Sequence, residues 1–185
     1  MGSDDEAAPE GTKTMGDLPI APELRILLDK QEIHDALMRY CRGVDRCDEE
    51  LMRSIFHQDA RAFKAPAWEF VAHFIPANKE ATTFTTHFMG NLSIDVVGDK
   101  AFSEAYFMTY AGRRQDGQEV IDVFAGRYVD RWERRNGRWG VVLRETVHEW
   151  SRGDVAGRTP FPIPPSEEGT FVQPIRGRGD ISFTR

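Results

Sequence analysis

The sequence predicts an α+β fold, with N-terminal helices packed into the concave side of a bent antiparallel sheet. Three observations carry this. Up to about residue 81 apolar residues recur at helical steps, and from residue 84 the period changes to long β-branched and aromatic runs. Those runs are separated by Gly-Asp, Asp-Gly and Asn-Gly pairs, the dipeptides of tight hairpins. The chain has 185 residues and is 40% hydrophobic, enough for one well-buried core and short for two.

Residues 1–20 are rich in Gly, Pro and acids with little to bury, which reads as a disordered arm. A helix starts at "APELRILL", where Pro22 suits the first helical position and Glu23 the first turn. Ile33, Leu37, Tyr40, Cys41 and Val44 form its apolar face. Asp48 is placed to cap a second short helix, "EELMRSIF". "DARAFKA" reads as a first strand, and "AWEFVAHFIPANKEA" as a third helix broken or ended near Pro76. Four long strands follow as a meander too long to stay flat, so the sheet twists and curls. The tail, residues 152–185, follows the last strand. With the preceding Ser151 it holds five of the ten prolines, so it cannot be a central strand, yet Phe161, Ile163, Phe171, Val172, Ile175 and Phe183 are spaced along it. It is expected to run extended over the barrel or a neighbouring subunit, partly closing a pocket mouth.

Composition narrows the function. Net charge is −6, and the basic residues are scattered among acids without forming a stripe, which argues against nucleic acid as partner. No apolar run reaches the roughly 18–20 residues that span a bilayer, and no basic-then-apolar leader opens the chain, so a soluble, cytoplasmic protein is expected. Cys41 and Cys47 are expected to be reduced thiols. No His and carboxylate spacing suggests a metal, and no phosphate loop, nucleophile elbow or dinucleotide fingerprint is present.

One stretch raises a question. "YCRGVDRCD" places Asp45 beside the C-terminal carbonyls of the first helix, where a negative charge is least welcome. A hydrogen-bonding or positive partner must offset it, supplied from far along the chain.

"YCRGVDRCDEELMRSIFHQDA", "TTHFMGNLSI" and "GRYVDRWERRNGRWGVVLRETVHEW", in that order, resemble the SnoaL-like branch of the nuclear-transport-factor-like superfamily over roughly residues 25–151. Within it the motifs are most similar to hexachlorocyclohexane dehydrochlorinase, the bile-acid 7α-dehydratases and scytalone dehydratase. The resemblance implies a cone-shaped barrel domain over 21–151, usually a dimer or trimer, with one deep pocket and no required cofactor. It implies elimination of a small group from a cyclic or aromatic substrate. In such enzymes a histidine takes a proton from carbon, an aspartate supports it, and an arginine helps the leaving group or developing anion. His87, Asp45 and Arg144 match those places. Tyr40 matches the tyrosine of the bile-acid enzymes and departs from the lysine of the dehydrochlorinase.

The expected catalytic set is therefore His87, Asp45, Arg144 and Tyr40, with no metal. Plainer readings stand beside it: Asp45 as a turn residue, Arg144 paired to an acid such as Glu104, Tyr40 as core. Met89, Phe88, Met108, Phe124, His148 and Trp150 are the expected substrate-binding lining, suited to a small apolar ring-bearing ligand. His148 is read as sharing a strand face with Arg144, Thr146 and Trp150 by alternation. His34, His57 and His73 are read as solvated or capping. The expected function is a cofactor-independent lyase; an isomerase or polyketide-cyclase-like enzyme, or a ligand-binding module without catalysis, are the alternatives. Leu92, Ile94 and Val96 are candidates for an exposed apolar face that drives self-association, a trimer ahead of a dimer.

Overall fold

The computed structural model describes residues 21–153, Val172, Arg178 and 181–184. The expected N-terminal arm and most of the tail, Phe161, Ile163, Phe171 and Ile175 included, lie outside the described residues. Helix α1 spans Pro22–Asp45, α2 Glu49–Arg53 and α3 Ala67–Ala81. The strands are β1 Phe56–Ala62, β2 Ala65–Pro66, β3 Phe84–Val97, β4 Lys100–Gln115, β5 Gln118–Arg135 and β6 Arg138–Gly153. They form one sheet in the order β2-β1-β6-β5-β4-β3, antiparallel except where β1 runs parallel to β6.

Local chemistry accounts for the boundaries. Asp48 accepts a hydrogen bond from the Leu51 N–H at 2.9 Å and caps α2. The β4–β5 and β5–β6 turns place Asp116-Gly117 and Asn136-Gly137 at positive φ, as tight hairpins demand. Pro76 does not end α3, a correction to the sequence reading: the helix continues to Ala81. Pro76 is exposed, so water can serve the carbonyl that loses its N–H partner.

The helices lie on the inner face of the curled sheet. Ile33, Leu37, Val44, Met52, Phe56, Val71, Trp132 and Trp139 are buried between them, each large side chain contributing roughly 1.5–3 kcal/mol. The indole N–H groups are satisfied, Trp132 by Ser103 Oγ at 2.9 Å and Trp139 by Asp29 Oδ1 at 3.1 Å.

Cross-strand register sorts the paired strand residues to one face or the other. The inner face carries successive rows, His87–Thr109–Phe124, Met89–Phe107–Gly126–His148, Leu92–Ala105–Tyr128–Thr146 and Ile94–Ser103–Asp130–Arg144. Leu92, Ile94 and Val96 therefore pack against the helix-facing core and are not the exposed patch the sequence suggested. A break in alternation between Met89 and Leu92, where β3 is out of register with β4, moved them across. The outer face instead carries Phe88, Tyr106, Met108, Tyr110 and Trp150 around a shallow groove of about 650 Å³. Part of the tail meets that side of the sheet: Val172 donates to the Thr146 carbonyl at 3.2 Å, and Val172 and Ile181 pack against Phe102, Val129 and Val147. No helix among the described residues is long and apolar enough to cross a membrane.

Candidate active site

Asp45 is the last residue of α1, and β3 begins its run directly against that helix end. The Asp45 carboxylate accepts two hydrogen bonds from one residue: the backbone N–H of His87 at 2.9 Å to Oδ2 and the ring Nδ1 at 2.5 Å to Oδ1. A carboxylate only accepts, so Nδ1 carries the proton and Nε2 is the nitrogen left to face a ligand. Thr85, two residues earlier on β3, donates to the Val44 carbonyl at 3.4 Å and ties the same helix end. The side chains of His87 and Asp45 are 5% and 14% exposed, so the pair is sheltered without being sealed.

A second polar cluster lies deeper along the inner face. Arg144 donates from Nε and Nη2 to the two oxygens of Asp130, both at 2.7 Å, and neither side chain is exposed at all. The guanidinium lies in the corner formed by the Tyr40 and Tyr128 rings, which meet edge to face, its carbon 4.2 Å from each ring centroid. Burial raises Tyr40 above its ordinary value and Tyr128 well above, so both phenols stay protonated donors. Burial opposes the charge on Arg144, but the Asp130 carboxylate outweighs it and holds the guanidinium protonated. Burial also lifts Asp130 above the usual carboxylate range, with Arg144 pulling it back; two charge-assisted bonds at 2.7 Å argue that the pair is ionised.

Of the expected residues, the fold brings His87 onto Asp45 and Arg144 onto Tyr40. The plainer pairing of Arg144 with Glu104 does not form, because Glu104 faces outward and pairs with Arg127 at 3.0 Å. Met89, Phe124 and His148 are on the inner face, with the His148 ring stacked on Phe124 at 4.6 Å. Burial lowers His148 below its ordinary value, with the Trp150 backbone partly restoring it.

Phe88, Met108 and Trp150 are corrected: all three face outward. Phe88 follows inward His87 and Met108 precedes inward Thr109, so alternation puts them on the far side. Trp150 is turned out by a bulge, since Gly126 pairs with His148 while the next residue back, Ala125, pairs with Trp150, leaving Glu149 as an extra residue. Gly126 is required there, because a Cβ would collide with the Val147 carbonyl oxygen. His57 is also corrected: it is buried, and its Nε2 donates to the Glu133 carbonyl at 2.9 Å.

Sequence reasoning passed over Tyr128 and Asp130. The signal was present, since the two alternate in "GRYVDRW". Among the described residues no group of three His, Cys, Asp or Glu side chains could hold a metal ion.

The SnoaL-like domain matches residues 25–145. The chain belongs to the SnoaL-like family. A search of curated proteins finds no match. Among solved structures, this SnoaL-like chain is similar to a protein provisionally assigned as a scytalone dehydratase from Novosphingobium aromaticivorans, with 19% identity, a TM-score of 0.62, and coverage of 75% of this chain and 95% of that one. It is similar to a hexachlorocyclohexane dehydrochlorinase of LinA type 2, with 20% identity, a TM-score of 0.61, and coverage of 77% and 99%. A third, from Nostoc punctiforme, is a protein of unknown function with a cystatin-like fold, with 25% identity, a TM-score of 0.53, and coverage of 66% and 92%. The α+β cone fold is thus shared by enzymes and by proteins without an assigned reaction, and the chemistry must be argued from the site.

Proposed function

We propose that this SnoaL-like protein is a cofactor-independent lyase, eliminating water or another small group from a cyclic, steroid-like or lignin-type aromatic substrate. The observation that supports the reading is the double hydrogen bond from His87 to Asp45 on the inner face of the sheet. Asp45 fixes the imidazole's tautomer and orientation and offsets the imidazolium that forms when Nε2 takes a proton from carbon. The two hydrogen bonds from His87 also answer why a carboxylate stands at a helix C-terminus.

The substrate carbon loses its proton to His87, the C–H electron pair becomes the new double bond, and the group on the adjacent carbon leaves. Tyr40, kept protonated by burial, supplies a neutral donor toward a leaving or carbonyl oxygen. Arg144 acts from a fixed place, because Asp130 engages two of its nitrogens. Phe107, Phe124 and His148 stack in sequence, with near-parallel rings at 5.8 and 4.6 Å, which suits a flat ring-bearing ligand. For the protein's own association, the outer face offers Phe88, 61% exposed, and Trp150, 47% exposed, as a surface for a second copy; sedimentation at micromolar concentration should show a species heavier than 21.1 kDa.

The test of the activity is a panel of ring-bearing β-hydroxy ketones, aromatic alcohols and halides, followed by mass spectrometry for the unsaturated product. Consumption of a panel member by the wild type, abolished in His87→Ala, is the expected result. Undiminished consumption in His87→Ala would refute the assignment of the base.

A further inference from the structure

The outer face of the sheet carries another groove besides the one at Phe88 and Trp150. It is open, measures about 900 Å³, and has Val97, Phe102, Val142 and Leu143 in its lining together with Ile26 and Lys30 of α1. The ladder places its floor. Phe102 stands opposite Asp95 on one side and Arg131 on the other, and Arg131 opposite Leu143, so these four make one outward row. Val97, Lys100 and Glu133 make the next, toward the hairpin turns. On the side away from the turns, Val172 and Ile181 pack against Phe102, Val129 and Val147.

Three cations line this groove, Lys30, Lys100 and Arg131, and none of them makes an ion pair among the described residues. The nearby acids are turned elsewhere. Glu133 stands directly opposite Lys100, yet its carboxylate accepts from Arg135 Nε at 2.9 Å. Asp99, beside Lys100 in the chain, accepts from Arg134 Nε at 2.8 Å. Asp95, the other acid of the lining, forms no ion pair with any of the three. Lys100 and Arg131 are diagonal neighbours on one face, a spacing of roughly 7–8 Å at which like charges still repel. Positive charge is thus concentrated here on a chain whose net charge is −6.

An apolar floor and unneutralised cations lie side by side, and few occupants suit both. A free phosphate would meet the cations and leave the floor wet. An apolar helix would cover the floor and desolvate three charges without a counterion. A hydrocarbon chain ending in one anionic group uses everything the groove offers, and the volume lies within the range of small-ligand sites, about 300–1,000 Å³.

We propose that this groove binds a single-chain amphiphile with an anionic head, of the fatty carboxylate class. The carboxylate accepts from Lys100 and Arg131 and relieves their repulsion, while Lys30 adds to the attracting field. The chain lies along Phe102, Val142 and Leu143 and takes their apolar surface out of water. The site is independent of the elimination proposed above, because Phe102 and Arg131 face outward and His87 inward.

Calorimetric titration of the full chain with decanoate, decyltrimethylammonium and acetate, the two surfactants kept below micelle formation, separates head from chain. Decanoate should bind about tenfold or more tighter than either of the others. The double substitution Lys100→Gln with Arg131→Gln should lower decanoate affinity about tenfold and leave the melting temperature unchanged, since both side chains are exposed. Lys100→Arg should keep the affinity, and Leu143→Gln should weaken it. His87→Ala should bind decanoate as the wild type does, which separates the groove from the inner cavity: failure of the lyase assignment would leave this result standing. Equal affinity for decanoate and decyltrimethylammonium, no decanoate binding, binding that survives the double substitution, or binding lost in His87→Ala would each overturn the proposal. So would two other occupants: pelleting with phosphatidylglycerol vesicles that the double substitution abolishes would make the groove a membrane contact, and a lower sedimenting mass in the double variant would make it an interface between copies.

Discussion

Two carboxylates on the inner face are each gripped by two hydrogen bonds from a single basic residue, and they do opposite things. Asp45 holds His87, through the backbone N–H and Nδ1, at the end of α1. Asp130 holds Arg144, through Nε and Nη2, in mid-sheet. An imidazole bound at one nitrogen can still exchange a proton at the other, whereas a guanidinium cannot give its proton up. The first carboxylate therefore equips a base, and the second fixes a permanent charge. Exposure follows the same division, with the Asp45 side chain 14% exposed and that of Asp130 wholly buried.

The comparison is sharpest in rate. His87→Ala and Asp45→Asn should each lower turnover by roughly 10²–10⁴, measured on whichever panel compound the wild type consumes, with the circular-dichroism spectrum unchanged. A change in stability alone, with kcat intact, would place the Asp45 pair in the same structural role as the Asp130 pair.

Next comes stability. Arg144→Met leaves Asp130 as an uncompensated buried charge and should cost about 3–5 kcal/mol in urea unfolding. The double substitution Arg144→Met with Asp130→Leu should recover most of that loss, because an apolar pair needs no partner. If the double variant were as unstable as the single one, the ion pair would be contributing more than its own desolvation.

A smaller effect is expected from His148. Its ordinary value is 6.5, and burial lowers it in the folded chain. As pH falls, the unfolded chain takes up the proton first, so the contribution of neutral His148 is complete above that value and is lost as pH drops through the folded one. His148→Gln should flatten this part of the stability curve, read by thermal melts between about pH 7 and pH 5.

The smallest concerns Cys41, whose thiol burial pushes up to about 12. It should resist iodoacetamide at pH 8 in the native protein and react once the chain is unfolded in urea, as peptide mass spectrometry would show.

Much of this architecture is legible in the amino-acid sequence. The change of period near residue 84, the three hairpin dipeptides and the Asp48 cap led to helices followed by a meander, and the family resemblance led to Asp45 and His87. What was not legible depended on register. Period-two reasoning assigns a residue to a face only until an irregularity intervenes, and the one at Glu149 moved Trp150 outward while that between Met89 and Leu92 brought Leu92, Ile94 and Val96 inward. Asp130 was missed for a different reason. An aspartate between Val129 and Arg131 in a charged stretch reads as solvated, and only its position opposite Arg144 in the ladder makes it the partner of a buried guanidinium.

The most direct measurement of the central claim is the coupling between the two members of the first pair. With kcat determined for wild type, His87→Ala, Asp45→Asn and the double variant on the same substrate, the double should be little slower than either single, since a carboxylate without its imidazole has nothing to orient. Losses that multiply, so that the double variant falls by the product of the two single effects, would mean that Asp45 and His87 act independently and would contradict the account.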